Sequence, residues 1–69
     1  MARLEIGKHL AADSRVCVGR VIFKGTRILV SDALELAEAG YRPEAIARQY
    51  RGLVTPEAIR ESLILIQRH

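Results

Sequence analysis

Residues 43–59 read Pro43-Glu44-Ala45-Ile46-Ala47-Arg48-Gln49-Tyr50-Arg51-Gly52-Leu53-Val54-Thr55-Pro56-Glu57-Ala58-Ile59. Both prolines suit the first turn of a helix, where the amide they lack has no intrahelical acceptor. Pro43 therefore opens one helix. Thr55 and Pro56 open another, with Thr55 as a side-chain cap and Glu57 beside the positive helix end. Within the first of these helices Ile46 and Tyr50 share a face, and Glu44 and Arg48 stand at favourable i,i+4 spacing. Gly52 breaks it. Two short helices joined by Arg51 to Val54 match a helix-turn-helix layout. A small helical bundle with no DNA role would show the same pattern.

Downstream, Ile59, Leu63 and Ile66 fall on one face of the last helix. Glu57, Arg60, Glu61 and Arg68 form a stripe expected to face water. Ile64 lies in that stripe, between Leu63 and Leu65, which points to a second buried face and so to a protein or dimer contact. Upstream, Val30, Ala33, Leu34 and Ala37 recur at the spacing of one helical face. Ser31 or Asp32 is the expected cap of that helix, and Gly40 stands where a C′ glycine ends it. Residues 31–69 thus form a tri-helical unit.

Residues 1–30 are β-branched and glycine-punctuated. Leu4 and Ile6 alternate with Arg3 and Glu5, the pattern of a short strand that needs a neighbouring or partner strand. Leu10 to Arg15 reads as a loop turning at Asp13-Ser14, and Val16-Cys17-Val18 as a short apolar run. Val21-Ile22-Phe23 and Ile28-Leu29-Val30 read as a hairpin closed by Lys24-Gly25-Thr26-Arg27, with Gly25 free to take positive φ. The expected fold is a single domain over 1–69, mainly α: a homeodomain-like three-helix core preceded by short β-strands or a hairpin.

Length and composition narrow the function. A domain of 69 residues has a thin core. Cys17 is the only cysteine, so no internal disulfide supports it, and Cys17, His9 and His69 lack metal-ligand spacing. A partner chain is the remaining support, most simply in a homodimer. No apolar run approaches the roughly 20 residues of a membrane helix, and Met1 to Leu10 lacks the block of a signal peptide. A reducing cytoplasm is the expected compartment. No nucleophile, acid–base or phosphate-loop motif is present, so neither enzymatic activity, a cofactor nor a small-molecule substrate is expected.

Charge points to an anionic partner. Eleven Lys and Arg face eight Asp and Glu, and the excess lies in residues 1–30, where Arg3, Lys8, Arg15, Arg20, Lys24 and Arg27 face only Glu5 and Asp13. The Lys24–Arg27 turn can offer backbone amides, Thr26 and Arg27 to a phosphate. Alternatively, Thr26 and Arg27 lock the turn onto the rest of the fold. In the helix-turn-helix reading the last helix presents Thr55 and Arg60 to DNA, and Arg42, Arg48 and Arg51 are the phosphate contacts offered by the helix before it, unless each is simply a solvated arginine. Glu57 and Glu61 make that helix a weak recognition element. The DNA-binding candidates are accordingly Arg20, Lys24, Thr26, Arg27, Arg48, Thr55 and Arg60. Those for a protein partner or a second copy are Leu4, Ile6, Ile64, Leu65 and Arg68.

The run from Val16 to Val30, with Gly25-Thr26-Arg27 flanked by aliphatics, resembles the signature of the domain of unknown function 433 family. Pro43-Glu44-Ala45-Ile46 and Thr55-Pro56-Glu57-Ala58-Ile59 match its second and third helix starts. Val21 and Leu29 stand where that family often has proline, and Val18 where it often has histidine. The resemblance implies a homeodomain-like core and, for some members, likeness to VapB-type antitoxins paired with a PIN-domain ribonuclease toxin. It implies a DNA-binding antitoxin that neutralises such a toxin and autoregulates its operon. A module that binds a neighbouring gene product without touching DNA is the alternative.

Overall fold

The computed structural model describes residues 3–16 and 20–66. Three strands come first, β1 (Arg3–Ile6), β2 (Leu10–Asp13) and β3 (Val21–Phe23), then three helices, α1 (Val30–Glu38), α2 (Pro43–Gln49) and α3 (Pro56–Leu65). The strands form an antiparallel sheet in the order β1-β2-β3. Ile6 pairs with Leu10 across the Gly7-Lys8-His9 turn, and Leu10 pairs with Phe23 on the other side. The result is a small mixed α/β domain. None of its helices is long and apolar enough to cross a membrane, among the described residues.

The sheet is larger than the sequence reading allowed. Leu10 to Asp13, expected as a loop, is the central strand. Leu10 and Ala11 are fully buried, and with both faces covered the strand shows none of the alternation that marks a half-exposed one. The expected hairpin of residues 21–30 shrinks to one bridge between Ile22 and Leu29, with the Phe23 N–H donating to Ile28 O at 3.1 Å. Val30 is already helical, so β3 finds its ladder on β2 instead. Gly25 has φ +77°, as the turn requires. In the Val16–Val18 run, Cys17 and Val18 lie outside the described residues.

The helices start and stop largely where local chemistry dictates. Thr55 Oγ1 accepts from the Ala58 amide at 3.1 Å, and Pro43 and Pro56 occupy first-turn positions. The α1 start differs from expectation: Leu29 is the cap residue, no side chain caps it, and Asp32 lies inside the first turn. Glu44 pairs with Arg60 of α3 rather than with Arg48, so a contact expected along one helix instead joins two.

The core lies between the sheet and the helices. Leu10 and Phe23 meet Val30 and Leu34 of α1, Ile46 of α2 and Ile59 of α3. Leu63 and Ile66 pack beside Ile59, as the helical spacing predicts. Buried Asp13 closes the sheet: its carboxylate accepts from the Arg15 amide at 2.9 Å and from the Arg15 guanidinium at 3.2 Å. That side-chain pairing, aided by the amide, holds the Asp13 carboxyl below the usual range.

Ile59 is 0% exposed, so Ile59→Val is expected to cost about 1 kcal/mol and Ile59→Ala about 2–5 kcal/mol. The larger loss matches the whole stability of many domains this small, about 3–5 kcal/mol. Urea unfolding followed by circular dichroism should show a shifted transition for the valine variant and no folded baseline for the alanine variant.

Candidate nucleic-acid interface

The unit that could meet nucleic acid is α2, its turn and α3. Ile46 and Ala47 anchor α2, and Ala58, Ile59 and Ser62 anchor α3. Between them the chain turns through backbone bonds, with Arg51 N–H donating to Arg48 O at 3.1 Å and Leu53 N–H to Tyr50 O at 3.0 Å. The turn puts Arg51 at φ +56° and Gly52 at φ +79°. The left-handed region costs an ordinary L-residue about 1–2 kcal/mol, and Arg51 occupies it with its side chain in solvent. Arg42 and Arg48 are exposed as well. Tyr41, Ala45, Arg48, Gln49 and Arg51 line one shallow concavity on this face.

Of the sequence-based DNA candidates, Lys24, Arg48, Thr55 and, through Glu44, Arg60 surround two grooves that share Val54 and Thr55, whereas Arg20 lines a third. Arg48 and Thr55 line a common groove beside Gly52 and Pro56. Arg60 is tied to Glu44, which lines the same groove. Lys24 lines a different groove, with Lys8, His9 and Thr55, and its ammonium pairs with Glu5 at 3.2 Å. Arg20 lies against Ser31, donating to its hydroxyl at 3.3 Å.

The Thr26 hydroxyl serves the turn. It donates to Phe23 O at 2.8 Å and accepts from the Ile28 amide at 3.0 Å, so it acts as a clasp around Gly25. Arg27 is exposed. Thr55 likewise spends its hydroxyl acceptor on the α3 cap. Lys24 and Arg15 pair with Glu5 and Asp13, the only two acids of residues 1–30, so the net positive excess of that half persists, and the exposed Arg42, Arg48 and Arg51 add cationic surface on α2 and its flanking turns.

Sequence reading missed the role of Glu61. Instead of facing water, its carboxylate accepts from the Lys8 amide at 2.8 Å, the His9 amide at 2.7 Å and the His9 ring Nδ1 at 3.0 Å. These bonds, led by the Lys8 amide, hold the Glu61 carboxyl below its usual range. Gly7 makes the approach possible. Its φ is +63°, and a Cβ there would stand 2.6 Å from Leu65 Cδ1 and 2.7 Å from Glu61 Oε2. Helical periodicity carries no mark of this contact; only the glycine after Ile6 hints at a close approach.

The partner candidates spread over two elements. Leu4 on β1 and Ile64 on α3 are exposed, at 63% and 69%, and Leu65 is 46% exposed. Ile6 packs against the core. Arg68 lies outside the described residues.

Residues 11–64 match the family model described as "Protein of unknown function (DUF433)". Among solved structures, the chain is similar to the X-ray crystal structure of Rv2018 from Mycobacterium tuberculosis, with 33% identity and a TM-score of 0.68. The similarity covers 78% of this chain and 24% of that one, so the chain spans about a quarter of the length of that neighbour. A comparison with curated proteins finds no match. The matched segment contains Glu61 but neither β1 nor the Lys8 and His9 amides that Glu61 binds.

A depressed carboxyl pKa stabilises the fold fully above its unfolded value, near 4.5 for Glu61, and that contribution fades as pH falls through the lower folded value. Urea midpoints measured from pH 7 to pH 3 should therefore fall steeply at the acid end. Glu61→Gln should lower the midpoint at pH 7 and flatten the acid slope, leaving the part contributed by Asp13. An acid slope equal to that of the unmodified chain would remove Glu61 from this role.

Proposed function

The chain belongs to the DUF433 family of proteins of unknown function, and from that premise we propose that it is an antitoxin-like, DNA-binding interaction module of a type II toxin-antitoxin pair. In this reading α2 and α3 act as a homeodomain-like helix-turn-helix. The module is non-catalytic, cytoplasmic and homodimeric, and it restrains a PIN-like ribonuclease and represses its own operon.

The observation that carries the reading is the exposed Arg42, Arg48 and Arg51 on α2 and its flanking turns. The first helix of such a unit crosses the phosphate backbone, and arginines there give affinity without sequence choice. At the start of α3, Glu57 is exposed and Arg60 is paired with Glu44. Binding is thus dominated by phosphate, with modest base discrimination. Exposed Leu4, Ile64 and Leu65 supply apolar surface for protein partners.

The engaged state of Arg60, Lys24 and Thr26 favours a second reading, a module that binds a neighbouring gene product without touching DNA. Co-expression with adjacent genes distinguishes the two. Under the second reading a partner co-purifies while no DNA is retained.

The first reading predicts a gel shift on the chain's own upstream region at micromolar protein, with log affinity falling against log salt at a slope near −3 per subunit for three phosphate contacts. Arg51→Gly should reduce that slope by about one. The same change relieves the left-handed strain, partly offset by a more flexible unfolded chain, so stability should hold or rise by up to about 1 kcal/mol. Absence of any salt-sensitive shift would sink the DNA reading. A weaker shift from a destabilised Arg51→Gly chain would count against the assignment of Arg51.

A further inference from the structure

We propose that the outer edge of β1 is the docking surface for a second copy of this chain, paired antiparallel with Leu4 opposite Leu4. The proposal deepens the homodimeric part of the reading above and does not depend on DNA binding. Three observations support it.

The first is the edge itself. In the order β1-β2-β3, β1 has a neighbour on one side only, among the described residues. Its remaining backbone donors and acceptors are a template for another strand.

The second is exposure. Arg3, Leu4 and Glu5 are all exposed, and Leu4 keeps 63% of its surface in solvent. Leu4 lies on the same strand face as Ile6, whose side chain already packs against the core. A sheet continued past β1 would cover Leu4 and extend that apolar face.

The third, decisive observation is charge. Two copies related by a two-fold axis form an isologous interface, so an antiparallel ladder must centre on one residue facing itself. Side chains directly opposite share a sheet face, so a half-step register is not available. Centring on Arg3 sets arginine against arginine. Centring on Glu5 sets glutamate against glutamate and Leu4 against Ile6. Centring on Leu4 sets Arg3 against Glu5 twice and stacks leucine on leucine. Centring on Ile6 leaves only Ile6 facing itself within the two strands. Like charges directly opposite destabilise a ladder and opposite charges stabilise it, so among registers that overlap more than one residue of the four-residue strand the one centred on Leu4 is selected. The Lys24 ammonium, 3.2 Å from Glu5, adds positive charge around that carboxylate and makes the Glu5-on-Arg3 arrangement part of a small alternating network. An unrelated strand has no reason to match this pattern; a second copy matches it by symmetry.

Sedimentation equilibrium on the full chain without DNA tests the proposal. The unmodified chain should show the mass of two copies at high micromolar concentration. Arg3→Glu and Glu5→Arg, made singly, each turn both cross-strand pairs into repulsive ones and should weaken association about tenfold or more. The double exchange R3E/E5R restores opposite charges in every pair and should recover the dimer. Thermal melts run alongside, because the double exchange leaves Lys24 beside a cation. If that variant does not fold, Leu4→Asn with Arg3→Glu decides: both should weaken the dimer while the monomer stays folded. A monomeric unmodified chain, a dimer indifferent to Arg3→Glu and Leu4→Asn, or a folded double exchange that stays monomeric would overturn the proposal. Since no DNA is present, each of these outcomes leaves the gel-shift result to stand or fall separately.

Discussion

The Glu61 carboxylate joins the two halves of this small domain. It reaches from α3 to the tip of the β1–β2 hairpin and takes both free amides of the turn, Lys8 at 2.8 Å and His9 at 2.7 Å. Successive amides converging on one anion form a concave, positively polarised site, and here the chain's own side chain fills it. Gly7 sets the spacing, because any Cβ would collide with Glu61 and Leu65. The long sequence separation of the partners fixes where the sheet sits on the helices, something burial alone does loosely in a core of so few large side chains.

The same economy runs through the rest of the fold. With Phe23 the only aromatic side chain buried among the described residues, the structure uses short polar clasps to define its turns. Thr26 closes the turn after β3, Asp13 and Arg15 close the end of β2, and Thr55 starts α3. Each satisfies backbone groups that a small core cannot bury unpaired without cost. Glu44 with Arg60 does similar work between α2 and α3 at the surface, where an exposed pair adds little stability but limits how either side chain is oriented.

What could be read in the sequence follows from how local its causes are. Pro43, Thr55 and Pro56 act within one turn of helix, so the starts of α2 and α3 were legible to the residue, while their ends at Gln49 and Leu65 were not. The β2 strand was not: Leu10-Ala11-Ala12-Asp13 has low strand preference, and burial of Leu10, Ala11 and Asp13 on both faces erases its alternation. The hairpin of residues 21–30 was half legible, because its turn chemistry is local while the choice of ladder partner is not. Among candidate site residues, the exposure of Leu4, Arg48 and Ile64 followed from the pattern. The duties of Thr26, Glu61 and Arg60 depend on residues distant in sequence or on backbone geometry, which spacing does not encode.

These engagements change what the chain's charge means. A count of cations over residues 1–30 suggests a basic patch, and within it Lys24 and Arg15 each have a carboxylate partner while Arg20 meets only the Ser31 hydroxyl. Surface pairs of this kind cancel the far field even when they contribute little to stability, because a neighbouring carboxylate screens a cation before solvent ions do. Arg42, Arg48 and Arg51 add local positive charge on α2 and its turns, and one of them, Arg51, is held in a conformation that a glycine would adopt at lower cost. Backbone strain kept at a charged, exposed turn is more readily understood as a feature of a binding surface than of a folding core, since the core gains nothing from it. In the reading proposed above, an anionic partner is met on the helical side, and the edge of the sheet is left for a second copy of the chain.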